Sequence, residues 1–214
     1  DEPSADGSWE PGGAPTRVVL VRHGVTAFTE QARLDGRGGS DPDLSPTGQN
    51  QAATAAANVR ALVGVGGARV VTSGLARARQ TGAAVAAALE VTPSADDAWD
   101  EQAFGDWDGM SIPELIEQDP AAYDRLRVDP DYARPGGESW AQLQARVVPA
   151  WETVLAEGGT TVVVCHRKVI LAVLAHVLDL TAESAWHLAT APGSLTALER
   201  LPHGGLSIAF TNRF

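Results

Sequence analysis

The chain has 214 residues and carries 16 Lys and Arg residues against 27 Asp and Glu residues, a formal net charge of −11. That length suits one domain with a sizeable core, and the acidic balance argues against nucleic acid or an anionic membrane as a general partner. The single cysteine, Cys165, excludes an internal disulfide framework and a cysteine-rich zinc site. No apolar run approaches the roughly 20 residues that span a bilayer. We therefore expect a soluble, cytoplasmic protein that uses its own side chains, with no cofactor and no metal.

Residues 1–16 differ in composition from the rest of the chain, because they are rich in Pro, Gly, Ser and acidic residues and lack apolar periodicity. Such a segment cannot bury enough surface to offset the entropy lost on ordering. We predict a disordered or linker segment over 1–16 and one folded domain over 17–214. Residue 1 is Asp rather than Met, so a removed signal peptide and a fused upstream domain both stay open.

The predicted elements begin with a strand over 17–21, a β-branched run of the kind that is buried on both faces. Ser45 and Pro46 then open an Ala-rich helix that ends near Val63, since Ser caps helices and Pro suits the first helical position. Further strands are predicted over 68–72, 160–165, 194–201 and 206–214, with a turn at 202–205. Further helices are predicted over 75–89, from 111, over 138–157 and up to about 178.

This alternation of strands and helices predicts an α/β fold, a three-layer α/β/α arrangement with a mostly parallel central sheet. The segment from about 92 to 135 is too long for a simple connection, so we predict that it forms a small lid or insertion.

Basic and imidazole side chains follow three of the predicted strands. Arg22 and His23 come after the first strand, Arg77 lies one turn into the helix after the second, and His166 follows the third, ahead of Arg167 and Lys168. Because the carboxyl ends of parallel strands meet at one edge of a sheet, we expect these side chains to lie together. A cationic pocket on an acidic chain favours a small anion, and phosphate is the natural candidate. The spacing alone does not indicate a reaction.

Several segments resemble the histidine phosphatase superfamily, the phosphoglycerate mutase-like proteins. They are VVLVRHGVT (18–26), LDGRGGSDPDLSPTGQNQA (34–52), TSGLARARQT (72–81), FGDWDG (104–109), PGGES (135–139) and VVVCH (162–166). They fall in the family's order and cover about residues 17–200. A weaker resemblance is to the phosphatase domain of bifunctional ribonuclease H–acid phosphatase proteins, in which a polar linker joins two domains.

The resemblance implies a role for each catalytic residue. His23 would attack a phosphomonoester and form a phosphohistidine. Arg22, Arg77 and His166 would hold the phosphoryl oxygens, and Glu101 would protonate the leaving group and then activate water. No metal would be needed, because fixed cations replace it.

Five further residues are candidates for substrate binding, each with an alternative. Thr29 stands where relatives often contact phosphate, or it is an ordinary loop hydroxyl. Arg33 and Arg37 either reach substrate or balance local acids. Arg167 and Lys168 depart from the small or apolar residues that are usual after the second histidine. They either attract a second anionic group or leave the pocket to cap the helix region or pair with acids.

We predict a phosphomonoester hydrolase of acid-phosphatase type that acts on a small phosphorylated metabolite. The alternatives are phosphoglycerate mutase-type phosphotransfer and a phosphate-binding domain without turnover. The FGDWDG segment resembles the phosphatase branch, and the five residues expected for catalysis are all present. The physiological substrate and the oligomeric state are not determined by the sequence.

Overall fold

A central sheet of six strands organises the computed structural model, which describes residues 16–201 and 205–214. The strands are β1 (Thr16–Arg22), β2 (Arg69–Thr72), β3 (Ser94–Ala95), β4 (Thr160–Cys165), β5 (Leu195–Arg200) and β6 (Leu206–Arg213). Their order across the sheet is β3-β2-β4-β1-β5-β6. The first four of these are mutually parallel, β5 is antiparallel to β1, and β6 is antiparallel to β5. The mostly parallel sheet predicted from the sequence is confirmed.

Eight α-helices belong to the described residues. They are α1 (Ala27–Glu30), α2 (Pro46–Val63), α3 (Ala76–Leu89), α4 (Ile112–Gln118), α5 (Pro120–Val128), α6 (Trp140–Glu157), α7 (Arg167–Leu178) and α8 (Ala182–Trp186). Alternate β1 side chains point to opposite faces of the sheet. Val18 and Leu20 join a core with α6 and α7, whereas Val19 and Val21 join a second core with α2 and α3. Helices therefore cover both faces, which confirms the three layers.

Local capping explains where the long helices begin. Ser45 accepts a hydrogen bond from the Gly48 backbone N–H at 3.2 Å, and α2 starts at Pro46 as predicted. Helix α6 starts at Trp140 rather than at 138, because Ser139 is its N-cap. Ser139 and Gln142 exchange side chain-to-backbone hydrogen bonds, which satisfies two N–H groups at the helix end.

The segment from 92 to 135 differs from the prediction at its start. Residues 94 and 95 form β3 at the sheet edge, so the insertion leaves the sheet only after them. Two 3₁₀-helices, at Asp97–Trp99 and Gly105–Trp107, are followed by α4 and α5. The insertion has a small core of its own, formed by Phe104, Trp107, Leu115, Ala122 and Leu126. The sequence did not predict β3, α1, α5 or α8, which are too short to show a periodic apolar pattern.

Two predictions fall wholly or largely outside the described residues. The disordered or linker segment was placed at 1–16, of which only Thr16 is described, and Thr16 begins β1. The predicted turn at 202–205 falls on residues 202–204, which are also outside. Within the described ranges, no helix is both long and apolar enough to cross a membrane.

Candidate active site

Two histidines lie side by side where the parallel strands β1 and β4 end. Arg22 pairs with Cys165 in the register of the two strands, and the His23 N–H donates to the Cys165 carbonyl at 3.0 Å. His23 and His166 therefore follow neighbouring strands at the same level. Their ring centroids are 4.9 Å apart, and both side chains are buried. The predicted meeting of these two residues occurs at the carboxyl edge of the sheet.

The hydrogen bonds of His23 determine its tautomer. Its Nδ1 lies 2.6 Å from the Gly24 carbonyl oxygen, which can only accept, so Nδ1 carries the proton. The Arg77 Nε–H points at His23 Nε2 from 3.3 Å, so Nε2 presents a lone pair. Burial, together with the nearby Arg77 and Arg22 charges, holds the pKa of His23 well below its ordinary value. The ring is neutral, and its free lone pair faces a cation.

Arg77 is fully buried and held from several sides. Its Nη2 donates to the Asp35 carbonyl at 2.7 Å, and its Nε lies 3.7 Å from Asp35 Oδ2. Its Nη1 lies 3.7 Å from Asp41 Oδ1 but makes no hydrogen bond within the described part of the chain. Burial raises the pKa of Asp35 to about 6, and the Arg77 charge opposes that rise. The guanidinium is thus fixed beside His23 with donor capacity left over.

A chain of hydrogen bonds orients His166. The Ser73 hydroxyl donates to Asp100 Oδ1 at 2.7 Å and accepts from the Leu75 N–H at 3.1 Å. The hydroxyl's single hydrogen is therefore used, and His166 Nε2, at 2.7 Å from Ser73 Oγ, must be the donor. His166 Nδ1 is buried and has no partner among the described residues. Burial and the Arg77 charge hold the pKa of His166 well below its ordinary value.

Arg22 adds a second guanidinium next to His23. Its Nη1 donates to the Thr190 carbonyl at 2.6 Å, while its Nε is buried without a partner in the described residues. Burial lowers the pKa of Arg22 to about 10, so it is still a cation at neutral pH. Arg22, Arg77 and His166 thus each bring an unused polar atom to one cluster, as expected of groups that await an anion.

A cavity of about 160 Å³ adjoins this cluster and shares Arg22 with it. It is lined by Arg22, Thr29, Ala32, Arg33, Leu34, Asp35, Glu101, Phe104, Ile112, Tyr123, Arg167, Lys168 and Trp186. Glu101 is 7% exposed in the wall. Its Oε1 accepts from the Gln102 N–H at 2.9 Å and its Oε2 from the Lys168 N–H at 3.3 Å. The Glu101 carboxyl group is fixed within the wall of this cavity.

The structure separates the five residues predicted to bind substrate. Thr29, Arg33, Arg167 and Lys168 line the cavity. The Thr29 side chain also completes the capping box of α1, and Arg33 donates to the Gly109 carbonyl at 2.6 Å. Arg37 does not line the cavity, and its Nε lies 4.0 Å from Asp100 Oδ2. For Arg37 the geometry favours the alternative, a charge that balances a local acid.

Several site residues were not predicted from the sequence. Ser73 directly follows β2, the kind of position at which site residues are expected. Asp100 is one of six acidic residues from 96 to 108, and nothing in the sequence distinguishes it from the others. Asp35 lies 3.7 Å from the Arg77 Nε, and Trp186 lines the cavity. In the described ranges, no group of three or more His, Cys, Asp or Glu side chains is arranged to hold a metal ion.

Comparison with known proteins gives consistent relatives. The chain is 34% identical to the bifunctional protein Rv2228c of Mycobacterium tuberculosis over 100% of this chain and 58% of that protein. It therefore spans less than two thirds of that relative's length. It is 30% identical to the glucosyl-3-phosphoglycerate phosphatase of M. tuberculosis, over 77% of this chain and 76% of the relative. A solved structure of mycobacterial glucosyl-3-phosphoglycerate phosphatase with VO3 matches with a TM-score of 0.81 and 26% identity. That match covers 93% of this chain and 100% of the other.

The family pattern of the Histidine phosphatase superfamily (branch 1) matches residues 18–212, which include both histidines, Arg22, Arg77 and Glu101. The family and the class of enzyme predicted from the sequence are confirmed, and the relative named as bifunctional agrees with the weaker resemblance. The chain belongs to the histidine phosphatase superfamily.

Proposed function

We propose that this chain hydrolyses phosphomonoesters of small metabolites through a phosphohistidine on His23, without a metal ion. The observation that carries the proposal is the orientation of His23, whose Nε2 lone pair faces the Arg77 guanidinium inside a buried cationic cluster. A phosphoryl group that enters the cluster meets a nucleophile and its cations together. The relative named a glucosyl-3-phosphoglycerate phosphatase supports hydrolysis of a phosphorylated metabolite.

In the first step, His23 Nε2 attacks phosphorus in line with the ester oxygen. Before this attack, the Arg77 Nε–H turns from the His23 lone pair to a phosphoryl oxygen, and the unused Arg22 Nε–H binds another. The negative phosphoryl group raises the pKa of His166, whose Nδ1 takes up a proton from water as the ester binds, donates a hydrogen bond to the phosphoryl group and returns the proton to water when phosphate leaves. Fixed donors of this kind stabilise the charge spread over the transferring group.

The leaving oxygen requires a proton, which Glu101 supplies as the ester P–O bond breaks. The resulting Glu101 carboxylate then takes a proton from water, and the water oxygen attacks phosphorus. The P–N bond breaks, inorganic phosphate leaves, and His23 regains its lone pair. One group acts as acid and then as base, so the enzyme ends each cycle in its starting protonation state.

Release of p-nitrophenol from p-nitrophenyl phosphate, in EDTA and over about pH 4 to 8, tests the proposal. We expect wild-type activity to survive EDTA and His23→Ala to lose it by about 10³-fold or more. His176→Ala is the matched control, because His176 is exposed and pairs with Glu152 at 3.1 Å, away from the site. Wild-type activity in His23→Ala, or its loss in EDTA alone, would contradict the proposal. If the wild type is inactive, an assay of 3-phosphoglycerate mutase activity decides whether phosphotransfer replaces hydrolysis.

We also propose that a fused upstream domain, one of the two possibilities that the sequence left open, is a partner of this chain. The support is the relative named a bifunctional protein, of which the matched region forms 58%. The intact mass of the protein purified from its native source tests this proposal. A mass that leaves no room for a second domain would contradict it.

A further inference from the structure

The helix that follows His166 places two more cations beside the cavity. Arg167 and Lys168 are the first residues of α7, and both line the cavity together with Trp186. Lys168 is only 5% exposed, and its Nζ lies 4.3 Å from the ring centroid of Trp186 and 5.6 Å from that of Trp140. The Arg167 guanidinium carbon lies 5.0 Å from the Trp186 centroid. Aromatic faces stabilise a cation but do not neutralise its charge.

Among the described residues, no carboxylate lies within ion-pair distance of these two cations. Over residues 16–201 and 205–214, the Lys168 hydrogen bond is made by its backbone N–H, and Nζ is in no ion pair. Arg167 Nη2 donates to the Trp186 carbonyl at 3.4 Å, while Nη1 is buried without a partner in the same ranges. Burial lowers the pKa of Lys168 to about 7, because removal of the ammonium group from water disfavours its charge. If these two positions served only packing, apolar side chains would fill them without the cost of burying a charge.

The two carboxyl groups that line the cavity, those of Asp35 and Glu101, interact with other groups. Asp35 lies 3.7 Å from Arg77, whose charge it offsets. Glu101 accepts from the Lys168 backbone N–H, and its attraction for Arg167 and Lys168 opposes the lowering of their pKa values by burial. Glu101 thus offsets the charges of Arg167 and Lys168 only in part, and neither cation has an ion-pair partner among the described residues.

We propose that Arg167 and Lys168 form a second anion subsite, which binds a carboxylate or phosphate on the leaving group of the substrate. The inference rests on the proposed function, because the phosphomonoester itself occupies the cluster at His23, Arg22 and Arg77. Lys168 follows His166 by only two residues, so the second anion lies a few bonds from the ester. The substrate class is a compact metabolite with two anionic groups, rather than a phosphate ester of a neutral alcohol.

Competition against p-nitrophenyl phosphate tests the subsite. The competitors 3-phosphoglycerate and glycerol 3-phosphate differ only in a carboxylate against a hydroxymethyl group. We expect the wild type to bind 3-phosphoglycerate about tenfold more tightly or better, and Lys168→Met or Arg167→Met to reduce that preference to about threefold or less. Binding of glycerol 3-phosphate should change little. Propane-1,3-diol bisphosphate, against its monophosphate, shows whether the subsite prefers phosphate to carboxylate.

Arg127→Met is the matched control. The Arg127 guanidinium also lies over Trp186, with its carbon 5.6 Å from the ring centroid, but Arg127 does not line the cavity. The preference should therefore survive this substitution, and a thermal melt shows that each variant is folded. In the wild type, equal inhibition by the competitors with and without a second anionic group, in both pairs, would overturn the proposal. A preference that survives both Arg167→Met and Lys168→Met would overturn it as well.

Failure of the proposed function gives a different result, namely no hydrolysis of p-nitrophenyl phosphate by the wild type. The same pairs of ligands are then compared by calorimetric titration of the wild type and the Met variants. The preference for a second anion is measured in either case.

Discussion

Replacement of Ser73 by alanine removes the hydroxyl that connects His166 to Asp100. In the native site this hydroxyl accepts from His166 Nε2 at 2.7 Å and from the Leu75 N–H at 3.1 Å, and it donates to Asp100 Oδ1 at 2.7 Å. Alanine leaves two donors without an acceptor, whereas Asp100 Oδ1 keeps the Gly74 N–H at 2.8 Å. Ser73 and His166 are fully buried, so water does not readily replace the lost group.

The magnitude follows from these lost contacts. A buried donor without a partner costs about 1–3 kcal/mol, so the loss of an acceptor for two donors should lower the free energy of unfolding by about 2–6 kcal/mol. The His166 ring is then free to turn away from the phosphoryl group. A loss of about 1.4–2.7 kcal/mol in its orientation corresponds to about 10- to 100-fold in rate. We expect kcat/KM to fall by that factor.

The assay is kcat/KM for p-nitrophenyl phosphate, measured well below the Tm of each variant. Ser139→Ala is the control, since Ser139 is a buried N-cap serine of α6 that does not line the cavity. It should lose about 1 kcal/mol of stability and keep its activity. If Ser73→Ala loses stability but keeps kcat/KM within about twofold of the wild type, Ser73 does not orient a functional His166.

Three further predictions follow. Glu101→Gln should lower kcat/KM for an alkyl phosphate by about 10²–10⁴-fold but for p-nitrophenyl phosphate far less, since nitrophenolate leaves without a proton; equal losses would refute the acid role. Arg77→Lys should lower kcat/KM by about 10²–10³-fold, because an ammonium cannot reproduce the guanidinium fork, and a near-normal rate would refute that geometry. Lys168→Met should stabilise the fold by about 2–3 kcal/mol below pH 7, because charge burial costs more than the tryptophan contact returns. The pKa of Lys168 is about 7 in the folded state and 10.5 ordinarily, so wild-type stability rises as the pH increases from about 7 to 10.5 and the advantage of Met becomes smaller. Thermal melts that show the same advantage at every pH would contradict this.

The cluster of His23, His166, Arg22 and Arg77 could be predicted because strand topology determines it. Three buried β-branched runs predict parallel strands, and parallel strands bring their carboxyl ends to one edge. His23 and His166, which are 143 positions apart in the chain, thus come to a ring separation of 4.9 Å. The glycine after His23 has an equally local reason. A Cβ on Gly24 would collide with the Gly48 backbone, so glycine lets the start of α2 approach the site.

The connections within the insertion could not be predicted in the same way. Six acids lie between 96 and 108, and only the fold selects Asp100 as the partner of Ser73 and places Glu101 in the cavity wall. The surroundings of Lys168 could not be predicted from the sequence either. The sequence showed an unusual pair of cations after His166, but the aromatic surroundings that bury Lys168 come from α6 and α8.

The central claim is that the phosphoryl group passes through His23 Nε2. The most direct test is peptide mapping by mass spectrometry after the reaction with p-nitrophenyl phosphate is stopped rapidly in alkali, which preserves phosphohistidine. We predict one added phosphoryl group on the peptide that contains His23, and none in His23→Ala. A phosphoryl group on His166 or elsewhere, or steady turnover by His23→Ala, would contradict the claim.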